Sequence, residues 1–171
     1  DFFKRTVFKK GEFFSVHEQK ELIEKYWIPY HFKLEKKIKK VDQKSSKPLL
    51  IVEYHNTSGD HPLNTRHEYM PAIVISNLGE KATGRKTKNS PHISMPVKYI
   101  KFLEKSIKEN LKITTEINDV YHGGYNTLWL SQIKTKNRLY VVQVEYNLDF
   151  IHNPISQKVD LKALKIMQKG L

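Results

Sequence analysis

Apolar residues recur along this chain with two rhythms. Between about Val16 and Lys40 they return every three or four positions, at Ile23, Trp27, Tyr30, Leu34, Ile38 and Val41. That spacing predicts one long amphipathic helix. Ser15-Val16-His17-Glu18 matches a capping box at its start. Pro29 lies inside the pattern and removes one backbone donor, so the helix should kink or break there. The second rhythm is the short unbroken run. Leu49 to Val52, Pro71 to Ser76 and Leu139 to Val144 read as buried strands, and Ile113 to Ile117 as a shorter one. A helix is predicted from about Ser94, with Pro96 in its first turn and Val97, Ile100, Leu103, Ile107 and Leu111 on one face. A last helix is predicted over 159–168, after the break at Asn153-Pro154. Leu78 to Ser90 is polar, carries Gly79 and Gly84, and is expected to be exposed and mobile.

Short apolar runs between amphipathic helices define an α/β class with a mostly parallel or mixed central sheet flanked by helices. Right-handed crossovers would bring several strand ends to one edge of that sheet. His55 stands just past one strand candidate and Glu145 at the end of another, so a shared site at that edge is expected. Burial raises the pKa of a carboxyl, which would suit Glu145 to general-base work. The plain alternative is that Glu145 is the first solvated residue after its strand. His55 is either a metal or acid/base imidazole on a rigid mount, or a histidine bonded at a strand terminus. His61, His67 and Asp60 follow it at spacings that match no helical His-x-x-x-His site and read as solvated loop residues. Gly123-Gly124 removes two side chains from a loop and lets backbone approach a ligand, with His122 and Tyr125 as flanking polar tips. His31, one position off the helical stripe, reads as a semi-buried, satisfied histidine.

A length of 171 residues fits a single α/β domain. The chain begins at Asp1 rather than Met, so an N-terminal segment is expected to be missing. There is no cysteine, which excludes disulfides and thiolate zinc sites and permits a reducing, cytoplasmic setting. No apolar run approaches the roughly 20 residues that span a bilayer, and no secretory signal is visible. The net charge of +12 invites a nucleic-acid reading, but the cations are nearly all Lys. Only Arg5, Arg66, Arg85 and Arg138 offer the fork geometry that base and phosphate readers favour. The Lys33 to Lys47 run reads first as a solvated helix face. No P-loop, dinucleotide fingerprint, Gly-x-Ser-x-Gly elbow or cysteine nucleophile is present, which removes nucleotide hydrolysis and most covalent hydrolase schemes.

Four ordered segments resemble the N-formylglutamate amidohydrolase family. They are Tyr26-Trp27-Ile28-Pro29-Tyr30-His31, Leu50-Ile51-Val52-Glu53-Tyr54-His55-Asn56, Tyr121-His122-Gly123-Gly124-Tyr125 and Val142-Gln143-Val144-Glu145-Tyr146-Asn147. The Gly-Gly loop with the Gln-Val-Glu-x-Asn strand end is the most specific part. Asp1 to Arg5 is similar to the family's Asp-Leu-Asn-Arg segment, with one residue too many. The resemblance implies a zinc-peptidase-like α/β fold and metal-assisted hydrolysis of an amide in a small N-acyl amino acid. It implies Glu145 as the catalytic base, His55 as a zinc ligand, and His122, Gly123, Gly124, Tyr125 and Asn147 as substrate-pocket residues. Arg5, which would hold a substrate carboxylate, and His31 complete the implied substrate set. The other two zinc ligands would lie upstream of Asp1. Leu148 stands where the family commonly has Arg, and Asn56 where it has Ser. Two alternatives remain beside the hydrolase: a metal-free relative that binds a ligand or partner, and a Lys-rich nucleic-acid binder.

Overall fold

The computed structural model describes residues 14–57, 70–153, 158–160 and 165, with side chains for 14–57, 70–150, 160 and 165. The chain divides into two compact units: Asp1–Lys47 with Thr135–Asn137, and Pro48–Lys134 with Arg138–Leu171.

In the first unit, α1 (Val16–Leu22) runs through a π-helical turn (Ile23–Trp27) into α2 (Ile28–Lys44). The capping box forms as the sequence predicts: Glu18 N–H donates to Ser15 Oγ at 3.2 Å, and Ser15 N–H to Glu18 Oε2 at 2.7 Å. The irregularity falls one turn before Pro29 rather than at it. The Ile28 N–H reaches back five residues to the Ile23 carbonyl, and Pro29, having no N–H, then sits in the first turn of α2. The helix is thus rewound, not ended, and continues past the expected Lys40.

Near the end of α2 the buried Asp42 clamps the Thr135–Asn137 segment. Its carboxylate accepts from the backbone N–H of Lys136 and of Asn137 and from the Asn137 side-chain amide. Burial pushes the Asp42 carboxyl up, but the donors of Asn137 and Lys136 outweigh it and hold it below its ordinary value of 3.8. A carboxyl depressed on folding stabilises the fold above its unfolded pKa, and that contribution is lost as pH falls through the folded value. Melting temperatures of native protein and Asp42→Asn should therefore differ most well above the ordinary value of 3.8 and converge as pH falls through the lowered folded value. A constant gap across that range would contradict the clamp.

The second unit is built on β1 (Leu49–Thr57), β2 (Ile73–Ser76), β3 (Thr115–Ile117) and β4 (Leu139–Asn147), with α3 (Val97–Leu111) and the short α4 (Tyr125–Ser131) and α5 (Leu148–Ile151). Sheet order is β1-β4-β2-β3; β1–β4 and β2–β3 are parallel, and β4–β2 is antiparallel. The sheet is therefore mixed. Residues β5 (His152–Asn153) and β6 (Lys158–Val159) pair as a separate antiparallel ribbon. Most of the predicted last helix lies outside the described residues.

Strand alternation gives the sheet two unlike faces. One carries Ile73, Ile75, Ile117, Val142 and Val144, which join Ile100 of α3 together with Met95 and Ile113 in the core. Leu103, Ile107 and Leu111 pack at its margin, as the helical stripe predicts. β1, expected as a buried strand, is half-buried to exposed along most of its length. It is an edge strand of this sheet, and it continues through Glu53-Tyr54-His55-Asn56-Thr57, which composition alone marks as a polar tip.

The segment after β2 is tied down rather than loose. Asn77, fully buried, donates from its amide to the Gly84 and Met95 carbonyls and accepts from Gly79 N–H and the Asn118 amide. Its own N–H goes to Asn118 Oδ1. The two turns pass so closely that a β-carbon on Gly79 would lie 2.4 Å from the Gly84 carbonyl oxygen. The exposure expected of Leu78 to Ser90 is seen at Glu80, Lys81, Ala82, Arg85, Lys86, Lys88 and Asn89, while Gly79 and Gly84 are buried against Asn77.

Candidate active site

The second face of the sheet is polar, and its polarity is ordered by register. Across the parallel β1–β4 pair, Glu53 stands beside Gln143, His55 beside Glu145 and Thr57 beside Asn147. Partners in register point to the same side, so three successive polar pairs line one face. On the neighbouring strand Ser76 aligns with Gln143 and Val74 with Glu145. Glu145 is buried, whereas the His55 side chain is 45% exposed. The imidazole thus marks the open side of the pair and the carboxylate its floor.

His55 Nδ1 lies 4.0 Å from Glu145 Oε1, too far for a direct hydrogen bond. A single water oxygen can sit within bonding distance of both. Such a water would have a base below it and an imidazole beside it, which is an arrangement for moving a proton. Both residues lie inside strands, near their C-terminal ends, rather than just past them. The strand ladder therefore fixes the spacing of their backbones.

Glu145 is further held by its own strand. Gln143 Nε2 donates to Glu145 Oε1 at 2.6 Å. Gln143 Oε1 accepts the backbone N–H of Gly124 at 2.9 Å and lies 3.1 Å from Thr127 Oγ1. The Thr127 hydroxyl, fully buried, lies 2.6 Å from Glu53 Oε2. The Gly-Gly loop is pinned from its other side as well. Leu78 N–H donates to the His122 carbonyl at 2.8 Å, and Ser76 Oγ to the Tyr121 carbonyl at 2.5 Å. Gly123 has φ +96°, which L side chains rarely adopt. A β-carbon there would come closest to the movable end of the Leu78 side chain, at 2.8 Å. Gly123→Ala should therefore lose about 1–2 kcal/mol, chiefly from backbone strain. Urea unfolding checks this, and an unchanged midpoint would show that the loop relaxes freely.

The Tyr121 hydroxyl pairs with Thr57 Oγ1 at 2.6 Å. Burial pushes Tyr121 above its ordinary pKa of 10; the Thr57 bond opposes this and the Glu145 charge adds to it. Tyr121 is therefore a neutral phenol at physiological pH. On the opposite face Tyr54 stacks on Tyr146 with ring centroids 5.9 Å apart. Burial, helped by Tyr54, pushes Tyr146 up to about 12.

The structure brings together His55, Glu145, Gly124 and, one register pair further along, Asn147. Asn147 Nδ2 donates to the Met70 carbonyl, and its Oδ1 accepts Asp149 N–H at the start of α5. His122 and Tyr125 are exposed beside the loop. His31 belongs to the first unit, where its Nδ1 bonds to the Trp27 carbonyl at 2.8 Å and its ring stacks on Trp27. Arg5, Asp60, His61 and His67 lie outside the described residues. Sequence reading missed Glu53, Thr127 and Tyr121 as parts of the site, and Gln143 beyond its place in a motif. The signal was present in the alternation Glu53, His55, Thr57, which marks a strand with one polar face. For zinc, no group of three candidate ligands occurs among the described residues. His55 and Glu145 on their own do not fit a catalytic zinc, which takes about three protein ligands.

The fold and this face together define an α/β protein with a buried carboxylate paired to an open imidazole on a mixed sheet. The chain belongs to the N-formylglutamate amidohydrolase family, whose model matches residues 2–152. A solved structure, N-formylglutamate amidohydrolase from Ralstonia eutropha JMP134, shares the fold with a TM-score of 0.63 at 14% identity. The match covers 91% of this chain and 52% of that one, so the chain spans about half the length of that protein. No curated protein shows significant sequence similarity.

Proposed function

We propose that this chain carries the base of an amide hydrolase acting on an N-acyl amino acid or a similar small substrate. Family membership supports the reaction class. The observation that carries the reading is the registered His55–Glu145 pair, 4.0 Å apart on the polar face. In this scheme Glu145 takes a proton from the attacking water and passes it to the leaving nitrogen. Gln143 keeps the carboxylate oriented. Tyr121, a neutral phenol paired with Thr57, borders Glu145 on this face. His122, Tyr125 and the backbone of Gly123-Gly124 border the substrate, and Asn147 supports the strand end beneath it.

Zinc dependence is the finer part of the proposal. His55 is the ligand that the described residues would contribute, and with Glu145 it does not by itself complete a catalytic zinc site. When bound, zinc would polarise the scissile carbonyl and lower the pKa of a water. Among the described residues no helix is long and apolar enough to cross a membrane.

The test is a panel of N-formyl and N-acetyl amino acids, including N-formylglutamate, assayed for release of free amine with and without added zinc. Turnover of at least one member, lost on chelation and restored by zinc, is expected. No turnover across the panel in either condition would overturn the reading.

A further inference from the structure

We propose that Gln143 is a positioning residue that locks the backbone of the Gly-Gly loop to the Glu145 carboxylate. This deepens the hydrolase reading and rests on it for its kinetic consequence. The two ends of the Gln143 amide have partners that permit one orientation only. A carboxylate can only accept, so the –NH₂ faces Glu145 Oε1 at 2.6 Å. The backbone N–H of Gly124 can only donate, so the carbonyl oxygen faces it at 2.9 Å. Flipping the amide would set donor against donor and acceptor against acceptor at both ends. Gln143 is itself 5% exposed, so neither end can exchange its partner for bulk water without opening the site.

Neighbouring groups close the remaining freedom. Thr127 has a single hydroxyl proton, and the Glu53 carboxylate at 2.6 Å is the better acceptor than Gln143 Oε1 at 3.1 Å. Its oxygen then also lies 3.3 Å from Gly124 N–H. Glu53 and Thr127 thereby hold the start of α4 against the sheet at the point where Gln143 reads the loop. The joints are side chains in register on β1 and β4, Thr127 of α4, and the loop itself. Gln143 bonds the Glu145 carboxylate at one end of its amide and the Gly124 backbone at the other. A loop held in place therefore orients the carboxylate, and a carboxylate displaced from Gln143 frees the loop.

Two readouts test this. The first needs no substrate: amide hydrogen exchange at Gly124, read against the amides of β2 as a reference for global opening. Exchange at Gly124 should accelerate about tenfold in Gln143→Met and in Glu145→Ala, the loss of one ordinary hydrogen bond. If Gln143→Met does not fold, Glu145→Ala reads the same link from its other end. Unchanged exchange at Gly124 in the folded variants would overturn the proposal. The second readout is kinetic. Gln143→Met should lower kcat about tenfold or more with KM within about twofold, because orientation of the base and not substrate binding is lost. A merely structural role would lower the folded fraction and leave kcat per folded molecule unchanged. Faster exchange at Gly124 in a protein that hydrolyses nothing on the panel would uphold the link and remove the hydrolase reading alone.

Discussion

Glu145→Gln should lower the proposed amide hydrolysis by about a hundred- to ten-thousand-fold while leaving the fold intact. Glutamine has the shape of glutamate, and its carbonyl oxygen still accepts from Gln143 Nε2, which lies 2.6 Å from the present Oε1. What disappears is basicity. The site keeps its registered strands, its Gly-Gly loop and its imidazole, so substrate affinity should change little. Steady-state kinetics give the loss in kcat, and a melting curve superimposable on the native one shows that folding is not its cause. A variant retaining a tenth or more of native kcat would remove Glu145 as the base.

The largest expected effect on stability lies at Asn77. Asn77→Ala should destabilise the second unit by about 3 kcal/mol, the upper range for a single substitution. The amide serves four partners in one buried place: the carbonyls of Gly84 and Met95, the N–H of Gly79 and the amide of Asn118. Alanine leaves all four short of a partner where the close approach of the Gly79 and Gly84 backbones leaves little room for water. The two tryptophans, Trp27 and Trp129, fall one in each unit. Urea unfolding followed by Trp129 fluorescence in a Trp27→Phe background therefore reports the relevant unit. A shift equivalent to less than about 1 kcal/mol would mean that the turns re-bond without Asn77.

Elements whose hydrophobic faces meet a core were legible in the sequence. The stripe Ile100, Leu103, Ile107 and Leu111 and the run Pro71 to Ser76 stand where periodicity places them. The convergence of His55 and Glu145 was legible too, because two strands ending in polar residues tend to share an edge. The second half of β1 was not. Its residues carry no apolar signal, and what keeps them in a strand is pairing with β4, ninety residues away. The short helix Tyr125–Ser131 escaped for a similar reason: seven residues give too few turns for a period to show. Nor does sequence show that Gln143 faces two ways, since that depends on the loop lying above β4. The π turn before Pro29 is a local compromise among backbone donors, and no side-chain pattern announces it.

His55 and Glu145 are expected to act as one unit on one reacting water. A double-mutant cycle measures this most directly, comparing kcat/KM of His55→Ala, Glu145→Gln and the double variant. If the pair shares one task, the double variant is no slower than the worse single variant, within about threefold. If the two losses multiply in full, the residues work independently, and the site assigned here is not a single catalytic pair.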